Sequence, residues 1–195
     1  MHFRRIACLL LGAWIAGSLF MMWVATEGFH TVDRVMAKPA SPATKNLDAA
    51  GKERNLALLR HLVSEQNRGY FEAWERVQLV LGLLLLLALF FGTDARPAVL
   101  LFTLLLVVTV ALLHWLITPQ VNHYGRAIES LPATVDSPLR NRFWAFHTTY
   151  ATIDVIKTAV AGLIAISLVR RRRHAGLAAD ELDAVDDADH RHIDR

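Results

Sequence analysis

Four runs of apolar residues dominate the pattern along the chain: Ile6–Thr26, Tyr70–Phe91, Pro97–Thr118 and Phe143–Val169. Each reaches the ~20 residues that an α-helix needs to cross the hydrocarbon of a bilayer. Between them the pattern turns amphipathic or polar. Helical periodicity continues past Thr26 to about Met36, where Pro39 and Pro42 break it. From about Lys52 to Arg68, Leu56, Leu59 and Leu62/Val63 repeat with charges on the opposite face. That stretch reads either as a helix lying on the membrane surface or as an extension of the second span, with Gly69 as a bend. Likewise His123–Leu131 continues the third span beyond Pro119. The predicted fold is all-α: an integral membrane four-helix bundle whose helices protrude on the non-cytoplasmic side.

Local signals support these boundaries. Gly92-Thr93-Asp94-Ala95-Arg96-Pro97 reads as a tight turn joining the second and third spans as an antiparallel hairpin. Asp136-Ser137-Pro138 places a capping residue before a proline at the first helical position, so the last helix begins near Ser137. The first run is too long for the apolar region of a signal peptide and lacks a small-residue cleavage site, so it reads as a retained span. Arg4-Arg5 lacks the surroundings of a twin-arginine signal.

The polar residues inside the last span make the apolar pattern informative. His147, Tyr150, Asp154 and Lys157 fall within roughly 80° of one another on a helix. A charge at the centre of a span costs about 2.5–3.5 kcal/mol on insertion scales, so Asp154 and Lys157 require a partner or a purpose. Depth counting at about 1.5 Å per residue brings Glu75, Arg76 and His114 to a similar level. His114, Thr118 and Asn122 follow i+4 steps, and Glu27, His30 and Arg34 share an arc of the first helix. The sequence therefore predicts an intramembrane polar cluster of Glu75, Arg76, His114, Asn122, His147, Tyr150, Asp154 and Lys157. Its structural reading is a set of ion pairs that fix helix register, with Lys157 paired to Asp154 or Glu75. Its functional reading is a cofactor site. His114 and His147 are the plausible axial pair for haem b, and His30, His114, His123 and His147 are the candidate ligands for copper or zinc. No closely spaced ligand motif accompanies them, and no cofactor is predicted.

Composition and charge narrow the rest. Of the 195 residues, 54% are hydrophobic, and the mean hydropathy is +0.32, outside the range of an ordinary soluble domain. Cys8 is the single cysteine, so an internal disulfide and a cysteine metal cage are excluded. The net charge of +3 conceals an asymmetry: residues 174–195 hold seven acidic residues against two arginines, leaving 19 basic and 11 acidic residues in the rest. The densest basic run, Arg170–Arg173, directly follows a span. It marks a cytoplasmic helix end at a lipid surface and gives no support to nucleic acid as a partner. With Arg4, Arg5 and Arg96 on the same side, both termini are placed in the cytoplasm, with the bilayer of a bacterial inner membrane as the main partner and a homo-oligomer compatible. Residues 1–173 form the four-span domain, and 174–195 read as a disordered acidic cytoplasmic tail. Trp14, Trp23, Trp74, Trp115 and Trp144 mostly fit an interfacial aromatic belt.

No phosphate loop, nucleophile elbow or metalloprotease motif is present, so the chain reads as a non-enzymatic structural or interaction protein. A haem or copper protein and a small transporter or permease subunit are the alternatives. The first helix running into FHTVDRV, the third ending HWLITPQVNHYGRAIES and the fourth opening RFWAFHTTYATIDVIK resemble the bacterial membrane proteins of the domain of unknown function 4149, related to transmembrane protein 205. The resemblance covers most of residues 6–170. It implies the four-span topology and assigns no activity.

Overall fold

The computed structural model describes residues 2–38, 51–92, 97–129 and 137–193, with side chains described within those ranges from Phe3 to Arg170. The 93–96 turn, the prolines at 39 and 42, and Asp136 lie outside the described residues. Helix α1 spans His2–Ala37 and α2 spans Lys52–Gly92. A third rod, Pro97–Glu129, comprises α3 (Pro97–Leu112), a π-helical turn (Leu113–Ile117) and α4 (Thr118–Glu129). Helix α5 runs from Pro138 to Ile193. Ser137 caps it as its sequence predicts, accepting the Leu139 N–H on Oγ at 3.3 Å, with Pro138 at the first helical position.

All four rods are long and apolar enough to cross a membrane. Their surface agrees with that reading: Leu9, Phe20, Val80, Phe90, Leu101, Val155 and Leu163 all face outward. Large apolar side chains on every side are stable against lipid and unstable against water. At 1.5 Å per residue α2 is about 60 Å long, twice the hydrocarbon thickness, so it must protrude. It does so as one unbroken helix. The 52–68 segment is an upward extension of the second span, not a separate surface helix, and Gly69 makes no bend. The extension packs on the upper part of α1, where Asn67 donates to the Ala25 carbonyl and Arg60 pairs with Asp33.

The buried positions alternate in steps of three and four: Ala7, Leu11, Trp14 and Ser18 on α1; Glu75, Gln78, Gly82, Leu85 and Leu89 on α2; Thr103, Leu106, Val110 and Leu113 on α3; Asp154, Lys157, Ala161, Ile164 and Leu168 on α5. This is the seam spacing of a left-handed, knobs-into-holes bundle. The third rod breaks the rule once, stepping five residues from Leu113 to Thr118 before resuming at Asn122 and Gly125. The π-helical turn causes this. The Thr118 N–H bonds the Leu113 carbonyl, five residues back, just ahead of Pro119, which has no N–H to give. The extra residue turns Thr118 and Asn122 into the bundle.

Two tryptophan–glycine contacts knit α1 to α2. A Cβ on Gly17 would lie 2.0 Å from the Trp74 ring, and one on Gly82 would lie 3.1 Å from the Trp14 ring. Trp14 is therefore a core residue, 1% exposed, while Trp23, Trp115 and Trp144 face outward. At the other sequence extreme, α5 remains helical to Ile193, where composition predicted a disordered tail. Alanine, leucine, glutamate and arginine all favour helix, and no glycine or proline follows Gly176 to stop it.

Candidate functional site

The half of the bundle nearer the termini is filled by Ala7, Leu11, Leu85, Leu89, Leu106, Val110, Ala161, Ile164 and Leu168. Its hydroxyl groups are satisfied within their own helices, as where Thr103 donates to the Val99 carbonyl and Ser167 to that of Ile164. In the distal half the same seams carry polar residues from all four rods. Because Glu75 and Gln78 are three apart on α2, and Tyr150, Asp154 and Lys157 are spaced four and three on α5, their side chains form two adjoining nodes.

The first node centres on Lys157, 1% exposed at its side chain. Its Nζ donates to Asp154 Oδ1 at 2.7 Å and to Gln78 Oε1 at 2.8 Å. Gln78 then donates through Nε2 to Ser18 Oγ at 3.0 Å, carrying the chain across to α1. The second node centres on Glu75, which is fully buried. Thr118 Oγ1 donates to its Oε1 at 2.6 Å and His114 Nδ1 lies 2.8 Å from its Oε2, with Tyr150 close by on α5. No buried side-chain atom of either node lacks a partner; among the described residues, such atoms include the Trp14 and Trp74 indole nitrogens. Complete pairing matters in a medium of low dielectric, where an unpaired buried charge is strongly unfavourable.

The structure thus brings Glu75, His114, Tyr150, Asp154 and Lys157 together. Lys157 selects Asp154 and Gln78 and makes no bond to Glu75. Asn122 sits higher, donating to Glu72 Oε1 at 2.7 Å. Arg76 and His147 stand outside the cluster. Arg76 is one residue past Glu75, hence about 100° around α2. Its side chain is 65% exposed, with Glu72 at 3.5 Å. His147 is exposed and stacks on Phe143, because the inward stripe in the first turns of this span of α5 runs through Phe143, Phe146 and Tyr150. Ser18 and Gln78 were not singled out by the sequence, although both lie at core spacing from apolar neighbours.

Above the cluster an ionic clasp joins α2 to α4. Arg126 donates from Nε and Nη2 to the two oxygens of Glu65 at 2.9 and 3.0 Å, and Arg68 bridges Glu65 and Glu129. Glu65 lies beyond the apolar run of α2. The hydrogen bonds from Arg126, aided by the charge of Arg68, pull its carboxyl down to about 2. His61 Nδ1 contacts Glu129, so His61, Glu65 and Glu129 are the one group of three metal-type donors found among the described residues. Both carboxylates are already held by arginines, a poor setting for a cation.

His30, His114, His123 and His147, the candidate metal ligands, do not form such a group. His114 does have the bearing of a ligand. Its Nδ1 is anchored on Glu75, leaving Nε2 free, as in carboxylate-supported metal histidines. It also lines an open cleft of about 520 Å³ between α2 and α4, together with Glu72, Arg76, Thr118, Pro119, Asn122, His123 and Arg126. Comparison with protein-family models, with curated proteins and with solved structures finds no match to this chain.

Proposed function

We propose that the chain is a non-enzymatic structural or interaction protein of a bacterial inner membrane, with both termini cytoplasmic and its clasped polar end on the opposite side. The observation that carries this reading is the closed pairing of Ser18, Gln78, Lys157 and Asp154 across three helices. Such a network fixes the relative height of helices that otherwise present similar leucine-rich seams to one another. Below it the seam is apolar through Leu168, which supports a lock and counts against a polar route through a monomer. The basic residues Arg4, Arg5, Arg96 and Arg170–Arg173 support the orientation.

The test compares unfolding in detergent of the single variant Lys157→Met with the pair Asp154→Leu/Lys157→Met. A register lock predicts that the single variant is much less stable and that the pair recovers most of the loss. A pair variant as unstable as the single one overturns this reading.

A second reading follows from His114 alone: an imidazole anchored on a buried carboxylate, with its free nitrogen in a cleft, suits a haem or copper ligand. An absorption spectrum and elemental analysis of protein purified in detergent decide it. A Soret band or stoichiometric copper lost in His114→Ala supports the cofactor, and the absence of both removes it.

A further inference from the structure

The α2–α4 cleft has a charge pattern that its neighbours leave incompletely used. Arg76 is six residues past Tyr70, about 9 Å below the start of the apolar run. Its side chain is 65% exposed, and its contact with Glu72 Oε2, at 3.5 Å, is longer than a normal charge-assisted hydrogen bond. Beside it Val77 and Trp115 face outward toward lipid. An arginine at this depth extends toward the headgroup layer and seeks an anion there. Across the cleft Arg126, which also lines it, uses Nε and Nη2 on Glu65 and keeps Nη1 as a further donor group. Glu72 supplies the opposite charge, with one oxygen held by Asn122 at 2.7 Å and the other held only loosely by Arg76.

The cleft is therefore dipolar, not simply basic: guanidinium donors flank a carboxylate within one open volume of about 520 Å³. We infer that it binds the headgroup of a zwitterionic phospholipid, with the phosphodiester on Arg76 and Arg126 and a primary ammonium on Glu72. Arginine matches phosphate oxygens in a two-pronged geometry, and a primary ammonium offers the N–H donors that a carboxylate accepts. The acyl chains would leave past Val77 and Trp115, both of which face lipid. This inference rests on the membrane reading of the chain and adds a ligand to it.

The experiment measures phospholipid bound per chain after exhaustive detergent washing and re-addition of single lipids, read by native mass spectrometry. The wild type should retain about one phosphatidylethanolamine and prefer it several-fold to phosphatidylglycerol. Arg76→Gln should lower retention of both lipids about tenfold, the loss expected for one charge-assisted bond. Glu72→Gln should abolish the preference between them. Arg34→Gln, which removes an exposed charge on α1, should change nothing. Equal retention by the wild type and Arg76→Gln overturns the site, and equal binding of the two lipids by the wild type overturns the headgroup assignment. Displacement of the lipid by inorganic phosphate at equal concentration would show that a free anion is the ligand, also against the proposal. Carbonate extraction of the same membranes reports insertion separately, so loss of lipid binding and loss of the membrane reading are distinguishable.

Discussion

Two halves of one seam run through this bundle. Toward the termini the inward positions hold Leu11, Leu85, Leu89, Val110, Ile164 and Leu168; away from them the continuing positions hold Ser18, Glu75, Gln78, Thr118, Asp154 and Lys157. Helix spacing and burial are the same in both halves, so the contrast isolates chemistry from geometry. In lipid, leucine gains little by leaving hydrocarbon for a leucine-lined seam, and the apolar half is held by close contact alone. Sliding a helix by one repeat there exchanges one leucine for another. In the polar half the same slide would strand Lys157 without Asp154 and Gln78. The first half supplies contact area and the second supplies register.

The largest expected effect comes from breaking the polar half. Lys157→Met leaves the Asp154 carboxylate buried and unpaired, and should cost about 3–5 kcal/mol in unfolding measured in detergent, with most of it recovered when Asp154→Leu is added. Next is the α1–α2 contact that links the two halves. Gly17→Ala puts a methyl group 2.0 Å from the Trp74 ring, and should cost about 1–3 kcal/mol, relieved by Trp74→Leu in the same chain. A truncation in the apolar half, Leu89→Ala, should cost only about 1–2 kcal/mol. The bilayer removes most of the transfer part of the usual penalty and leaves the cavity part. A loss as large as that of Lys157→Met would erase the contrast.

The smallest effect lies in the exposed clasp. Glu65→Gln should cost under about 1 kcal/mol, since solvent screens the pair with Arg126. Its pH dependence has a definite sign. The folded-state value of Glu65, about 2, lies below its ordinary 4.5, so the clasp contributes in full above pH 4.5 and fades as pH falls toward 2. Cross-linking between α2 and α4, followed from neutral pH downward, should therefore hold until strongly acid conditions.

How far the sequence disclosed this arrangement depends on the range of the interaction. Asp154 and Lys157 could be paired by counting because they lie three residues apart on one helix. Glu75 and His114 were matched by depth, since apolar length fixes height in a bilayer. The partners of Lys157 on other helices were not legible: Gln78 and Ser18 look unexceptional in apolar runs, and only packing shows that they meet. Depth counting also brings Arg76 into the cluster, but depth does not fix rotation: Arg76 is about 100° around α2 from Glu75, and the seam passes through 75 and 78. His147 was misplaced for a related reason. At the start of the fourth span the aromatic stripe 143–146–150 faces inward, and His147 falls beside it.

The sequence by itself determined four apolar helices, their approximate limits, the Ser137 cap, and the confinement of polar groups to one half. These follow from local periodicity and from the energy of burying charge in hydrocarbon, both of which act through residue type and spacing. Only the tertiary structure decided that 52–68 extends the second span, that a π-turn before Pro119 rotates Thr118 and Asn122 inward, and that Lys157 is shared between Asp154 and Gln78. Each of these depends on which face one helix presents to another. That rotation is set jointly by all four rods, so no single stretch of sequence encodes it.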